Sequence, residues 1–431
     1  MRNFISFLQQ LYQNFLSFWP LRPPNWIKIP LICCFRYIFR SINQFSIELI
    51  YFLSVSFIGF VLLKAIKPRT DFQNPSDLDL FFTSVSASTV SSMSTVEMEL
   101  FSNSQLVVII ILMFIGGEVF TSMVGLHIRA YKLSKSWRSG TRVGSVSTLE
   151  NSSASTPSAF MNSPINNNQF ELHIIPVTRR DTNVSLDSVD YHMRTDSIKF
   201  LGYVVLGYLT FFHVLGVTSV FAYINIISSA RNVLKSKGIN GFTFAVFTVV
   251  STFASCGFLP TNENMVVFGK NSGLLLILIP QVLLGNTLFP SCLRFTLWIL
   301  GKFVIKSNME SQYLLNNTEQ IGYFHLLPKA HSIYLIATVF GFICIQCILI
   351  WSMEWNSGAL RGLSTYQKLV GVLFQSTNSR HTGETILDIS TLSQAILVLL
   401  VIMMLVFSPF LPFSFSNKFH HSISAYCTPI K

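Results

Sequence analysis

Three stretches of the sequence repeat one arrangement of hydroxyl-bearing residues, small residues and an acid: FFTSVSASTVSSMSTVE, FTVVSTFASCGFLPTNEN and LFQSTNSRHTGETILD. Aligned on Ser92, Gly257 and Gly383, each has an apolar residue ten positions earlier (Phe82, Phe247, Leu373) and a hydroxyl six positions earlier (Ser86, Ser251, Thr377). An acid follows in every case, at Glu97, Glu263 and Glu384. What these residues can do is present backbone oxygen. Glycine reaches φ > 0 and lets carbonyls crowd towards an axis, and rings of carbonyl oxygens replace the hydration shell of a cation. Bond-breaking chemistry has no comparable constellation. The histidines are scattered and no Cys, His or Asp grouping has metal or nucleophile spacing. Cys344 and Cys347 fall in an apolar helix, where that spacing puts two small residues on one face. There is also no GxxxxGK[ST] phosphate loop. The chain therefore reads as no enzyme, with no cofactor and no resident metal.

The elements that position these stretches are read from the composition. Of the 431 residues, 50% are hydrophobic and 11% charged, against about 25% charged in soluble domains. A helix needs about 20 apolar residues to cross a hydrocarbon core of about 30 Å. Six segments qualify, near 46–66, 104–126, 199–227, 273–301, 332–352 and 392–413. Pro20, Pro23 and Pro24 interrupt the start of the chain, so it does not read as a secretory signal.

The net charge of +11 is explained by topology. Arg2, Arg22, Lys28, Arg36 and Arg40 precede the first span, which puts the N-terminus in the cytoplasm. Six crossings then place 19 of the 30 Lys and Arg inside and 10 outside, with Arg294 within a span. That is the positive-inside bias, and it leaves no role for nucleic acid; the surrounding partner is the lipid bilayer. The segments follow: a cytoplasmic N-terminus (1–45), units at 46–131, 198–303 and 331–413, cytoplasmic connections at 132–197 and 304–330, and a tail at 414–431. The first connection contains Ser139 to Asn168, rich in Ser, Asn and Thr, which is expected to be disordered.

Each of the three repeated stretches lies in an outer connection between two spans. Non-helical backbone at membrane depth is tolerated only where protein or water satisfies its polar groups. A short helix dipping in, followed by an extended return, meets that condition as a pore loop. The expected fold class is thus an all-α integral membrane protein of tandem span–loop–span units. Asp77, Asp79, Glu97 and Glu99, with Glu384, are candidates for an acidic outer vestibule that concentrates cations. Arg380 is expected to point away from the path or to pair with an acid such as Glu384. Glu118, inside a span, is expected to face the bundle.

Beyond these readings, SASTVSSMSTVEMELFSN, GGEVFTS (Gly116 to Ser122), STFASCGFLPTNEN, IPQVLLGNTLFPS and NSRHTGETILDISTLS closely resemble the plant HKT family, from about Leu49 to about Leu405. That family belongs with the bacterial Trk and Ktr cation transporters. The resemblance implies four M1–pore-loop–M2 units in pseudo-fourfold array around one ion path, at the plasma membrane. It also implies a homodimer in which each chain has its own pore. The selectivity-filter positions carried over are Ser92, Gly257 and Gly383, and Ser at the first resembles the sodium-selective class, whereas Gly accompanies potassium. A physical argument runs the same way. Serine's Cβ disfavours the φ > 0 conformations open to glycine, and its side chain narrows one quadrant of the carbonyl ring. The implied function is gradient-driven sodium transport, with potassium or mixed transport as the alternative. Only three of the four units are read here, and SFSNKFHHSISAYCTPIK resembles no linker to a fourth. The chain therefore reads as truncated at its C-terminus. A non-conducting chain that associates with intact relatives is the other alternative.

Overall fold

The computed structural model describes residues 44–69, 75–150, 180–304, 308–355, 360 and 362–404. Among these the chain is helical, in the order α1 (Gln44–Ala65), α2 (Asp77–Ser88), α3 (Asn103–Gly116), α4 (Glu118–Glu150), α5 (Arg180–Ile226), α6 (Ser228–Ser236), α7 (Gly241–Ala254), α8 (Ser272–Gly285), α9 (Phe289–Phe303), α10 (Asn308–Asn316), α11 (Thr318–Ile321), α12 (Lys329–Glu354), α13 (Thr365–His381) and α14 (Gln394–Met404). The packing described below lies within the unit Ser56–Lys431; the described residues of Met1–Val55 form the first half of α1.

Helices α1, α5 and α12 are each long and apolar enough to cross a membrane. The segments expected near 104–126 and 273–301 are not single rods. Helices α3 and α4 meet at 54°, and α8 and α9 at 84°. The sixth segment is helical over Gln394–Met404; its remainder, and the tail 414–431, lie outside the described residues, as do 1–43. The connection 132–197 is helical through Glu150 and again from Arg180. Residues 139–150 are therefore helix rather than disordered chain, and 151–179 lie outside the described residues.

Short helices start where the sequence supplies caps. Ser76 with Asp79, Ser102 with Gln105, and Ser364 with Gln367 each close a capping box, at the starts of α2, α3 and α13, and Asn240 accepts from Phe242 N at the start of α7. Such caps satisfy N–H groups that have no partner within the helix. Gln105 also donates from Nε2 to the carbonyls of Leu63 and Ile66, both at 3.0 Å, closing the end of α1.

The span–loop–span unit repeats in its contacts as well as its order. The residue four before each aligned position is held by the first span of its own unit. Ser88 Oγ lies 2.6 Å from Ser56 Oγ, the Phe253 ring packs on His213 at 4.6 Å between centroids, and Ser379 Oγ accepts from Gln346 Nε2 at 2.8 Å. The second spans of the first two units then pack on the unit that follows. Helix α3 lies against α7 and α8 against α13, while α4 lies against α5 and α9 against α12.

The two bends share one cause. A Cβ on Gly116 would lie 1.9 Å from the carbonyl oxygen of Ser88, and one on Gly285 would lie 2.1 Å from that of Phe253. Each second span breaks where it passes the C-terminal end of its own loop helix, and only hydrogen at the α-carbon permits that approach. At the second break the Tyr208 hydroxyl donates to the freed Leu284 carbonyl at 2.9 Å. Gly116→Ala and Gly285→Ala should therefore each cost about 1–3 kcal/mol, the range for overpacking. Gly125→Ala and Gly341→Ala, inside helices where a Cβ meets nothing within 4 Å, should cost nothing and can stabilise by up to about 1 kcal/mol. Thermal melting of the detergent-solubilised protein tests the contrast.

Candidate ion-selective site

Helices α2, α7 and α13 each end in a tight return loop, and the three loops meet. Ser92 has φ 64°, Gly257 76° and Gly383 78°, so all three aligned positions are left-handed. A Cβ on Gly257 would lie 1.8 Å from the Thr382 carbonyl oxygen and 2.8 Å from Ser92 Oγ; one on Gly383 would lie 3.9 Å from the same hydroxyl. The loops close on the helix ends in matching ways, with Ser91 N donating to Ser86 O at 3.0 Å, Cys256 N to Ser251 O at 2.9 Å and Gly383 N to Asn378 O at 2.9 Å. Among the described residues the non-glycine positive-φ positions are Val90, Ser92, Ser255 and Asn264, all in the first two loops. A β-branched residue there is a genuine outlier, and such strain of about 1–3 kcal/mol per residue clusters at functional sites.

Serine at position 92 thus adopts the conformation that sequence reasoning reserved for glycine. The reason is local. Ser86 fastens the turn on both sides of Ser92, its carbonyl accepting from Ser91 N and its Oγ from Met93 N at 2.9 Å. What distinguishes Ser92 from glycine here is its side chain, whose hydroxyl stands in the space between the two glycines.

The candidate vestibule acids divide into separate roles. Asp77 pairs with Lys64 at 2.7 Å. Asp79 closes the cap of α2, and hydrogen bonds from Ser76 and Thr95 hold its carboxyl below the ordinary range. Helix α2 is about 18 Å long by its rise per residue, and Thr95 shows the return segment coming back to its start. Glu97 accepts from Asn262 Nδ2 at 2.8 Å, while Glu99 accepts from Asn262 N at 3.0 Å and from the Lys237 ammonium, which also binds Glu263. Burial opposes the charge on Lys237, but hydrogen bonds to Glu263 and Glu99 outweigh it and raise its pKa; the same contact lowers that of Glu263.

Glu384 is not a vestibule residue. It is fully buried, with Oε1 accepting from Thr252 Oγ1 of α7 at 2.7 Å. After the left-handed turn at Gly383 the chain aims this side chain inwards, where it joins the third loop to the second loop helix. The same pair of loops is joined by backbone: Met265 N donates to Thr385 O at 3.1 Å, and Thr385 N to Asn264 Oδ1 at 3.1 Å. The Glu118 side chain, expected to face the bundle, is exposed; its Oε1 lies 3.6 Å from His325 Nε2, and it borders a small cavity with His213 and Phe253.

Sequence reasoning missed Lys237, Asn262, Gly116 and Gly285. The glycines had a readable signal, since GGEVF and LLGNT occupy corresponding places after the first two loops. Lys237 had none, lying 138 residues from Glu99. Among the described residues no group of His, Cys, Asp and Glu could hold a metal. Glu384→Gln, which keeps an acceptor for Thr252, should be tolerated. Glu384→Ala should cost about 2–4 kcal/mol for the buried space it empties and the lost tie between the third loop and α7, read as a lower melting temperature.

Comparison with known proteins agrees with this architecture. The family described as "Cation transport protein", TrkH, matches residues 185–408. The rice "Cation transporter HKT1;3" is 45% identical over 382 residues, covering 88% of this chain and 69% of its own. The Arabidopsis thaliana "Sodium transporter HKT1" is 46% identical over 353 residues, covering 79% and 63%. This chain thus spans about two-thirds of these relatives' length. The crystal structure of the potassium transporter TrkH from Vibrio parahaemolyticus superposes with a TM-score of 0.44 at 18% identity, over 84% of this chain and 55% of that one, a level that adds no weight to the assignment. The chain belongs to the HKT family of cation transporters, within the wider TrkH family: a multi-pass membrane protein and not an enzyme.

Proposed function

We propose that this chain conducts sodium down its electrochemical gradient along a path whose selectivity filter is lined by Ser92, Gly257 and Gly383. The observation that carries the reading is their shared left-handed geometry, with three loops from separate units meeting at one place. Three further features support it. The loop helices end at the site, and a helix C-terminus carries roughly half a negative charge, which favours a cation. The Ser92 hydroxyl occupies space that two glycines leave open, reducing the room for a larger ion. The relative named a sodium transporter is 46% identical, whereas the Saccharomyces uvarum "High-affinity potassium transport protein" is 29% identical over 224 residues. The N-terminus lies in the cytoplasm, an orientation supported by the asymmetry of the basic residues, and the plasma membrane is the location that the resemblance to the plant HKT family implies.

One observation favours a second reading, potassium or mixed transport: the backbone at Ser92 already has the geometry of a glycine filter. The readings separate in voltage-clamp recordings from a cell without cation currents of its own, exchanging external sodium for potassium. A reversal potential that follows sodium supports the first, and one that follows both ions supports the second. Ser92→Gly should raise potassium permeability relative to sodium by roughly tenfold, the effect of about 1.4 kcal/mol of differential ion stabilisation. An unchanged ratio would remove Ser92 from the selectivity mechanism.

A further inference from the structure

We infer that Lys237 is a positioning residue for the first filter loop, its ammonium pinning the return segment after Ser92 to the second unit through Glu99 and Glu263. The inference rests on the reading of Ser92 as a filter residue and concerns what holds that residue in place. The three return segments are not equally supported. Phe258, Leu259 and Thr261 after Gly257, and Glu384, Ile386 and Leu387 after Gly383, are buried. After Ser92, by contrast, Met93, Ser94 and Thr95 are exposed, and burial resumes only at Met98. The first loop therefore has little packing to hold it.

Its tie to the second unit is polar, and Lys237 is the centre of it. The ammonium sits between Glu99 and Glu263, with its side chain only 15% exposed. Glu99 is fixed a second time, accepting from Asn262 N and donating its own N–H to Asn262 Oδ1 at 3.3 Å. Lys237 is in turn held through its carbonyl, which accepts from Arg69 Nη2 at 2.8 Å, and Arg69 N donates to Leu100 O at 3.1 Å. The chain before the first loop helix, the chain after the first loop, and the second unit are thereby closed into one ring of hydrogen bonds. Removing the ammonium leaves two carboxylates facing one another, and like charges at that range repel. The expected result is a first return segment that leaves its register while the buried loops two and three stay in place.

The test uses the full chain as wild type, Lys237→Met, Lys237→Arg and Lys237→Gln. Lys237→Met keeps the apolar stem and removes only the charge. Two readouts are taken. The first is the sodium-to-potassium permeability ratio by voltage clamp, normalised to surface protein. The second needs no current: the rate at which a thiol-reactive methanethiosulfonate modifies a cysteine at Met98, a position 6% exposed, located by mass spectrometry in isolated membranes. Lys237→Met should lower the permeability ratio and raise the labelling rate by about threefold to fivefold, the scale of a partly exposed ion pair. Lys237→Arg should stay close to wild type in both. An unchanged ratio and labelling rate in Lys237→Met, at normal surface level, would overturn the inference. So would a Lys237→Arg variant as disturbed as Lys237→Met, because the charge would then not be the cause. If Lys237→Met fails to reach the membrane, Lys237→Gln, which keeps a polar donor without the charge, decides: accelerated labelling supports the ion pair and wild-type labelling overturns it. A wild-type chain without current would overturn the transport reading alone, and labelling would then decide the positioning role by itself.

Discussion

Backbone that is neither helix nor sheet cannot be left with unsatisfied N–H and C=O groups among apolar helices, where each costs several kcal/mol. The three return loops are such backbone, and much of the structure serves to satisfy them. Each loop turns back on the last turn of its own helix, and side chains supply what the backbone cannot. Ser86 Oγ accepts from Met93 N, Gln375 Oε1 from Ile386 N at 3.2 Å, and Asn264 Oδ1 from Thr385 N. The hydroxyls and amides that made these stretches stand out against apolar flanks are the groups that make a non-helical turn affordable there.

The same constraint explains the bent spans. A loop helix that ends inside the protein needs room at its C-terminal end, and the second span of its unit runs past that end. Glycine at positions 116 and 285 resolves the conflict by letting backbone meet backbone, and the helices break at those points. The breaks release carbonyls that need partners, one of which is the hydroxyl of the buried Tyr208. Loop, break and capping tyrosine thus form one chain of consequences running from loop geometry to helix geometry.

Charge is used sparingly and mostly for attachment. Arg129, Arg194 and Arg294 donate to the carbonyls of Gly322, Gln320 and Leu327, so three separate helices grip the segment that joins the second unit to the third. On the side of the return loops Arg69 and Lys237 do the equivalent work between the first unit and the second. The acids there are engaged by these bases, by Asn262 and by helix caps, so the candidate vestibule is more a scaffold than a field of free carboxylates.

The periodicity of the sequence determined a good deal unaided. Six apolar segments, three polar stretches between them and their common alignment follow from composition and spacing, because a membrane span and a pore loop have opposite needs for polar atoms. The alignment on Ser92, Gly257 and Gly383 needed no structure, since hydroxyl and small residues recur at fixed distances from each. Three things were decided only by tertiary structure. The left-handed φ of Ser92 depends on bonds made by Ser86, and side-chain identity alone argued for the opposite. The burial of Glu384 depends on the third loop packing against α7, where its partner Thr252 lies 132 residues away. The pairing of Lys237 with Glu99 depends on two units meeting in space. In each case the deciding partner comes from the fold rather than from residue type, because a local pattern encodes what a segment can do but not which distant group it will face.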